Sequence, residues 1–364
     1  MPIVSMDVFP IELTLSEPVP MSSGVITSTG NVVIRLTDHE GVVGWGEGVE
    51  APALTGQRQA DIVADLEHLR PLVVGSDPTR ITETWARARR ALPLGTTAVG
   101  AVDIALHDLA ARRLGVPVHR LLGGAIRDEV PALALVGSGQ ADADAETLEK
   151  RRSEGFTWFK VKLGMGTREG EWRTLELAGD LAGSDGVVCG DANEAWDEEE
   201  AIRFLDGVGD RDIRFVEQPV SRHDLAALTR VAERSPVPIC ADESAGTLES
   251  VLGLAGTAVS GVSLKLIKHG GITGVMRGAG ICATAGLEVN LAGKVIESSI
   301  SSAANLHCAA AMEAIRYGCS PANRGVVIDV AEDPIAVTDG VFEVPSGPGL
   351  GLEVEEGTLR RLAP

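Results

Sequence analysis

The first fifty residues alternate apolar and polar positions in three segments, residues 3–15, 25–38 and 42–49, with glycines between them. A period of two is typical of strands with one buried face, so these segments predict an antiparallel meander. Three segments with helical periodicity follow, at residues 57–72, 78–91 and 96–114. Asp77 is the predicted N-cap of the second, and Gly115 follows the predicted end of the third. Residues 1–125 therefore predict a small α+β domain.

From residue 130 onward, strand-like and helical segments alternate. The eight strand-like segments are residues 130–136, 157–162, 187–190, 213–216, 238–241, 261–264, 287–291 and 315–319. Strands that alternate with helices predict a parallel sheet with right-handed crossovers. We predict an α/β barrel, a modified TIM barrel of the form (β/α)7β, over residues 126–324. The tail, residues 325–364, is strand-like and rich in turns, and we expect it to pack back toward the first domain.

Composition excludes several classes of protein. The chain is 44% apolar and 23% charged, and it has no apolar run near the roughly 18 residues of a membrane span. Its net charge of −20 argues against nucleic acid, which requires a basic surface. The five cysteines are odd in number and widely spaced, so we interpret them as reduced core residues of a cytoplasmic protein. Residues 1–15 lack the features of a signal peptide.

Charged residues stand at the ends of successive predicted strands. Lys160 and Lys162 share one face of the second strand, because side chains alternate along a strand. Asp191, Glu217, Asp242 and Lys265 end the next four strands, at spacings of 26, 25 and 23 residues (191 to 217, 217 to 242, 242 to 265). The carboxyl ends of barrel strands converge on one mouth, where such folds keep their chemistry. An open sheet would spread these residues too far apart.

The three carboxylates predict a metal site. A single acidic residue at a strand end is more often a helix N-cap, but three at matching positions favour a shared cation. Carboxylate oxygens suit Mg²⁺, with Mn²⁺ as the alternative. We expect Asn193 to face the same site, as a ligand or a substrate contact, and Glu243 to face away from it.

Lys162 and Lys265 predict acid–base chemistry. The alternative is two surface lysines at loop mouths, but their strands flank the carboxylate strands. A divalent cation and a second lysine lower the pKa of a lysine, as a general base requires. The reaction we predict is removal of a proton from the carbon next to a carboxylate, through an enediolate stabilised by the metal. Lys160 lies deeper and would contribute positive charge.

These motifs resemble the enolase superfamily and, within it, the muconate-lactonizing subgroup of mandelate racemase/muconate lactonizing enzymes. The matching segments are Lys160–Lys162, Gly190–Asn193, Val216–Pro219, Ala241–Ser244, Leu264–Lys268 and the Gly347–Gly351 tail. The resemblance implies that Asp191, Glu217 and Asp242 bind Mg²⁺ and that Lys162 and Lys265 are the acid–base pair. It also implies that the first domain caps the barrel. Strand 7 has no histidine, which excludes the mandelate racemase subgroup.

The resemblance also suggests substrate contacts. The segment at Glu297 and Ser298 is similar to the subgroup's motif that carries an acidic residue beside the substrate carboxylate. Two cap segments, residues 18–24 and 47–55, would close over the substrate, with Met21 as an apolar contact or as an ordinary packing residue. Dipeptide epimerases of the subgroup carry Asp-x-Asp near the last strand, and residues 321–325 lack it.

Racemisation or epimerisation of an amino-acid derivative is the leading functional hypothesis. A cycloisomerase of the muconate type, or a β-elimination enzyme resembling o-succinylbenzoate synthase, would use the same lysines. A non-catalytic binding protein is the remote alternative, and it predicts lost ligands or lysines. We expect a small-molecule carboxylate substrate, a homo-oligomer, and neither nucleic acid nor membrane as a partner.

Overall fold

The protein is described from a computed structural model, which covers residues 2–21, 24–209 and 211–364. No side chain of residues 20–24 is described. The predicted contact at Met21 therefore concerns a side chain outside the described part of the chain. No helix in the described ranges is long and apolar enough to cross a membrane.

The N-terminal domain is a three-stranded antiparallel meander covered by helices, as the alternation predicts. Its strands are β1 (Ile3–Met21), β2 (Gly24–Asp38) and β3 (Val43–Val49). Its helices are α1 (Pro52–Thr55), α2 (Gln59–Val73), α3 (Ile81–Ala91), α4 (Thr96–Leu114) and α5 (Val118–Leu121). The third predicted helix has the observed bounds of α4, which ends at Gly115 in the left-handed conformation. Only glycine adopts that conformation without strain.

Glycines at alternate positions of β3 allow α4 to lie directly against the sheet. Residues 44, 46 and 48 face the helix, because strand side chains alternate. A Cβ at Gly46 would lie 2.0 Å from the carbonyl oxygen of Ala101, and one at Gly44 would lie 2.4 Å from that of Ala105. The close packing buries nearly the whole length of α4.

The barrel prediction is confirmed. After β4 (Glu129–Pro131), eight parallel strands form one sheet in chain order. They are β5 (Leu133–Val136), β6 (Trp158–Lys162), β7 (Val187–Asp191), β8 (Val216–Glu217), β9 (Ile239–Ala241), β10 (Gly261–Leu264), β11 (Glu288–Ala292) and β12 (Gly318–Ser320). A parallel bridge between Ala132 and Cys319 brings the first and last strands together, so the sheet closes on itself.

Helices surround the barrel and alternate with its strands, as the sequence predicts, with α11 (Leu266–His269) as a short helix that the pattern does not predict. They are α6 (Ala141–Ser153), α7 (Arg168–Ala182), α8 (Glu198–Asp206), α9 (Leu225–Arg234), α10 (Leu248–Gly253), α11 (Leu266–His269), α12 (Ile272–Ala285) and α13 (Ser299–Ala311). Several begin with side-chain caps at Thr167, Asp197, Asp224 and Thr247. Such caps satisfy the free amides of the first turn.

The C-terminal tail forms a hairpin and a final helix. Strands β13 (Val337–Thr338) and β14 (Val341–Glu343) form a small sheet with β4, and helix α14 is Glu356–Arg361. The tail contacts the N-terminal domain: the amide of Leu350 donates to Asp108 at 2.8 Å, and the amide of Glu12 donates to the carbonyl of Leu362 at 2.9 Å. The boundaries at residues 125 and 324 remain predictions.

The barrel interior changes from apolar to charged along its axis. Its lower layer is a buried cluster of Leu133, Cys189, Phe215, Cys240 and Tyr317. All five cysteines are buried and free, as predicted. Charged side chains lie above this layer, because the alternation within each strand brings every second residue into the barrel. The apolar floor therefore leaves the charged layer open only toward the mouth.

Candidate active site

Adjacent strands place the predicted site residues side by side. In the β6–β7 register Lys162 lies opposite Asp191, and in the β7–β8 register Asp191 lies opposite Glu217. Asp242 follows the last residue of β9, and Lys265 follows β10. Parallel pairing therefore brings these residues to the same end of the barrel, as the spacing predicts.

Lys162 and Lys265 lie on opposite sides of the mouth. Their strands, β6 and β10, are four places apart in a closed sheet of eight. Lys162 Nζ donates to Asp191 at 2.7 Å and to Asn193 Oδ1 at 2.5 Å. Lys265 Nζ donates to Asp242 at 2.5 Å. Each amine is thus held by a carboxylate on a neighbouring strand, with the space between the two lysines open to a ligand.

Lys160 lies one layer deeper. Its Nζ donates to Glu217 at 2.5 Å, and Ser263 Oγ donates to the other oxygen of Glu217 at 2.5 Å. Asn290 donates to Ser263 at 2.7 Å. These four side chains come from β6, β8, β10 and β11, and all are buried. Burial of a charged pair is tolerated because both partners are hydrogen-bonded.

The carboxylates around Lys265 raise its pKa, whereas the predicted lowering concerns a lysine beside a divalent cation. Burial lowers this pKa, but the charges of Asp242, Glu217 and Glu243 outweigh burial and raise the pKa above its ordinary value. The pKa of Lys160 is also raised, since the charge of Glu217 outweighs its burial.

The carboxylates have the oxygen chemistry that a divalent cation prefers. Burial raises the pKa of Glu217, and the negative charges of Asp191 and Asp242 add to this effect. The positive charge of Lys160 opposes it, but the pKa remains above its ordinary value. Two buried acceptors at the site, Glu243 Oε2 and Asn290 Oδ1, have no hydrogen-bond partner among the described residues. Acceptors without donors are suited to a cation.

The side chains themselves are turned toward lysines. Over the described ranges, no three His, Cys, Asp or Glu side chains are arranged to hold a metal ion. Asp191, Glu217 and Asp242 each accept a hydrogen bond from a lysine instead. The metal assignment therefore remains a prediction.

Two charged residues at the site are missed by the sequence argument. Glu243 lines the cavity and accepts from Asn193 at 3.2 Å, although strand alternation predicts that it faces away. The alternation does not apply, because β9 ends at Ala241. Burial and the charge of Asp242 raise the pKa of Glu243 to about 7. Lys268 donates to Asp242 Oδ1 at 2.6 Å; it ends the segment Leu264–Lys268 that carries the resemblance, but the sequence argument gives it no role.

The predicted substrate contacts differ in their positions. Asn193 lines the cavity. Glu297 is buried beneath the loop after β11, where it accepts from the amide of Lys294 at 2.7 Å, and burial raises its pKa to about 8. Ser298 requires a correction: it is fully buried, caps α13, and donates to Glu47 of β3 at 2.9 Å. Its hydroxyl is occupied by the capping domain and does not line the cavity.

A cavity of about 1020 Å³ occupies the mouth. The predicted lid segments contribute to its wall through Pro18 and Val19 and through residues 50–54. Residues 18–21 of the first segment belong to strand β1, in which Val19 pairs with Ile26 of β2. Ser22 and Ser23, also predicted in the lid, lie outside the described residues. The cavity is large enough for a small organic acid.

Residues 3–123 match the family model described as mandelate racemase / muconate lactonizing enzyme, N-terminal domain, and residues 143–358 match the one described as enolase C-terminal domain-like. A chloromuconate cycloisomerase of Pseudomonas putida is 32% identical over 369 residues, covering 99% of this chain and 98% of that enzyme. An N-succinyl-L-Arg/Lys racemase of Bacillus cereus is 27% identical, covering 100% of this chain and 98% of that enzyme.

Solved structures agree with the sequence relatives. The crystal structure of a muconate lactonizing enzyme from Pseudomonas fluorescens complexed with muconolactone superposes with a TM-score of 0.93. The two chains are 28% identical, and the match covers 100% of this chain and 99% of that one. The similarity thus extends over the capping domain, the barrel and the tail.

Proposed function

The chain belongs to the mandelate racemase and muconate lactonizing enzyme family, and from that premise we propose that it is an isomerase acting on the carbon next to a carboxylate. The observation that carries the proposal is the position of Lys162 and Lys265, four strands apart across one mouth. A ligand between them presents one face to each amine. The remote alternative of a non-catalytic protein is disfavoured, because every predicted lysine and carboxylate is present.

The two lysines would divide the proton transfers between them. One, as the neutral amine, removes the α-proton and becomes an ammonium. The other, which starts as an ammonium, donates its proton to the opposite face of the same carbon and becomes neutral. The protons balance, and the configuration at that carbon is inverted. Asp191 and Asp242 hold the two amines at 2.7 and 2.5 Å, which fixes their direction of approach.

Enzymes of this family generally depend on a divalent metal ion. Asp191, Glu217 and Asp242 would hold Mg²⁺ here, with Mn²⁺ as the alternative. When bound, the ion supplies positive charge beside the substrate carboxylate, which makes the α-proton more acidic. Lys160, below Glu217 at 2.5 Å, would add positive charge to the floor of the site.

Racemisation or epimerisation of an amino-acid derivative is the reaction that two opposed lysines favour. Cycloisomerisation is the second candidate, because the 32% identical relative is a chloromuconate cycloisomerase. A β-elimination could use the same two lysines. A dipeptide is disfavoured as substrate, since Asn323 stands in the region where an Asp-x-Asp is expected. The side-chain amide of Asn323 donates hydrogen bonds to the hydroxyl of Ser299 at 3.2 Å and to the carbonyl of Ile335 at 2.7 Å, so it is not free to bind a substrate. Assembly as a homo-oligomer is part of the proposal.

Incubation with Mg²⁺ in D₂O tests the proposal. Candidate N-acyl amino acids of both configurations are followed by proton NMR for α-proton exchange and by polarimetry for inversion. We expect the wild type to exchange and invert, and Lys162→Ala and Lys265→Ala each to lose inversion by 10²-fold or more, since positioned acids and bases contribute about 10²–10⁴. Each variant should retain exchange with one configuration only, on the face of its remaining lysine.

The control variant is Lys150→Ala, which removes a lysine that also lines the cavity but is half exposed and paired with Glu17. Inversion at the wild-type rate in Lys265→Ala would overturn the roles assigned to the two lysines. Exchange without inversion in the wild type would exclude racemisation, and conversion of a muconate would then favour the cycloisomerase.

A further inference from the structure

Lys294 differs from the other cations of the mouth. Seven other lysines and arginines line the cavity, and each forms an ion pair with an Asp or Glu at 3.4 Å or less. Lys294 lines the same cavity, and no described carboxylate oxygen pairs with its Nζ. The polar contact of this Nζ is the carbonyl of Val295 at 3.4 Å. A partly buried ammonium without a counter-ion is costly unless an anion completes it.

The carboxylates nearest to Lys294 accept hydrogen bonds from backbone amides. Glu297 accepts from the backbone amide of Lys294 itself at 2.7 Å. Glu50 accepts from the amides of Gly30 at 3.2 Å and Gln59 at 3.1 Å. Both carboxylates therefore hold backbone rather than the Lys294 side chain. Burial, and then the charge of Lys265, lower the pKa of Lys294, and an anion in the cavity would offset both effects.

The backbone that carries Lys294 is fixed in place. Residue 293 has no room for a side chain, because a Cβ there would lie 2.5 Å from Glu297 Oε2 and 3.0 Å from the carbonyl of Ser320. The bond from Glu297 to the Lys294 amide anchors the next residue. The base of the lysine is thus held rigidly while its amine ends in the cavity, as a preorganised anion contact requires.

The position of Lys294 separates it from the reacting group. The carboxylates proposed to hold the cation come from β7, β8 and the end of β9, whereas Lys294 follows β11, four strands from β7 and two from β9. Lys294 is therefore not beside Asp191 or Glu217, and a substrate carboxylate held by the cation would leave Lys294 to contact another group of the substrate.

We infer that Lys294 is a specificity-determining residue that binds a second carboxylate of the substrate, remote from the carbon where the proton moves. The inference rests on the proposed function, since it takes the reacting carboxylate to lie near Asp191, Glu217 and Asp242. It assigns to this enzyme a dianionic substrate. Acids that carry a methyl group in place of the remote carboxylate bind more weakly.

Two matched pairs of probes test the inference by isothermal titration calorimetry in Mg²⁺ buffer. They are N-succinyl-L-alanine with N-butanoyl-L-alanine, and trans,trans-muconate with sorbate, and the members of each pair differ by a carboxylate in place of a methyl group. In at least one pair the wild type should bind the dicarboxylate about 10- to 100-fold more tightly, as a charge-assisted hydrogen bond predicts. Lys294→Met should remove that preference and leave the affinity for the methyl analogue unchanged.

Two further variants serve as controls. Lys294→Arg keeps the charge and should retain most of the preference. Lys150→Met removes a cavity lysine that has its own partner, Glu17, and should retain all of it. The inference is overturned if the wild type prefers neither dicarboxylate, if Lys294→Met keeps the preference, or if that variant weakens both members of a pair equally.

Failure of the proposed function gives a different result. If no acid exchanges its α-proton in the wild type, the isomerase assignment fails, whereas the change of affinity with Lys294 is measured without turnover. If exchange and inversion occur and the affinity ratio does not respond to residue 294, the isomerase assignment stands and the role of Lys294 fails.

Discussion

Glu297 is a fully buried carboxyl group whose pKa is raised to about 8, chiefly by burial. Its ordinary pKa is 4.5, so between these values the folded state keeps a proton that the unfolded state releases. Stability therefore falls as pH rises through this window. Below this pH window the carboxyl group of Glu297 is protonated in both the folded and the unfolded protein. Above the window it is ionised in both, and the full cost of burying the charge destabilises the folded state. The group therefore contributes a destabilisation that begins near pH 4.5 and is complete above about pH 8.

Replacement of Glu297 by Gln should remove this pH dependence. The free energy of unfolding of the wild type, minus that of Glu297→Gln, should fall between pH 5 and 8.5 by about 2–5 kcal/mol, at about 1.4 kcal/mol per pKa unit. The glutamine oxygen can still accept from Lys294. Urea unfolding at both pH values measures this difference. The other titrating groups contribute nearly equally to the wild type and the variant, so their contributions largely cancel when the two free energies are subtracted. A constant difference would contradict the raised pKa.

Single residues are also where sequence prediction fails. The alternation of strand side chains places Lys160 and Lys162 correctly, because both lie inside β6. It fails for Glu243, which follows the end of a three-residue strand. The substrate contact that the resemblance suggests for Ser298 also fails, because its hydroxyl is bonded to Glu47, 251 residues away in the chain. Local patterns carry no information about such distant partners, so hydrogen-bond partners cannot be predicted from them.

At the scale of elements, the contact between β3 and α4 depends on the absence of side chains. The nearest atoms to a Cβ at Gly46 are the backbone oxygen of Ala101, at 2.0 Å, and the backbone nitrogen of Ala105, at 2.9 Å. Backbone atoms of a buried helix cannot turn aside as a flexible side chain can. Any side chain at this position must separate the strand from the helix.

Gly46→Ala should therefore destabilise the protein by about 3 kcal/mol or more, at the upper end of the cost of overpacking a core. The matched control is Gly179→Ala in helix α7, where a Cβ would meet no atom within 4 Å. That change should stabilise the helix by roughly 0.5–1 kcal/mol. Urea unfolding followed by circular dichroism measures both. Similar effects of the two substitutions would contradict the packing argument.

Elements formed by local periodicity are predicted well, and those completed by distant partners are not. The bounds of α4 agree with the structure because Gly115 ends that helix, and helices α8 and α9 each have one apolar face and a side-chain cap. The first predicted barrel strand is in fact divided. Its first part, β4, pairs with β14 of the tail, and only β5 joins the barrel. The pairing partner lies some 200 residues away, where no local pattern indicates it.

At the scale of the whole molecule, one apolar core extends from the barrel into the capping domain. Ile11 and Leu13 of β1 and Trp45 of β3 belong to the same buried cluster as the barrel strands. A polar contact joins the two parts as well. Glu47 of β3 accepts from the amide of Ser298 at 3.1 Å and from the amide of Ser301 at 3.3 Å. Both amides belong to the N-terminal turn of α13, where a carboxylate is favourable.

Glu47→Ala should weaken the contact between the capping domain and helix α13 of the barrel. It leaves the amides of Ser298 and Ser301 and the side chain of Asn31, which donates to Glu47 at 2.7 Å, without their acceptor. Buried donors that lose a charged acceptor predict a loss of about 2–5 kcal/mol in the free energy of unfolding. Because the core is continuous, cap and barrel should still unfold in one transition, by circular dichroism and by tryptophan fluorescence alike.

Glu83→Ala is the control, since Glu83 is exposed and pairs with the exposed Arg80; it should change stability by less than about 0.5 kcal/mol. Equal midpoints for the two variants would show that Glu47 does not hold α13, whereas two separate transitions in the wild type would show that cap and barrel fold independently.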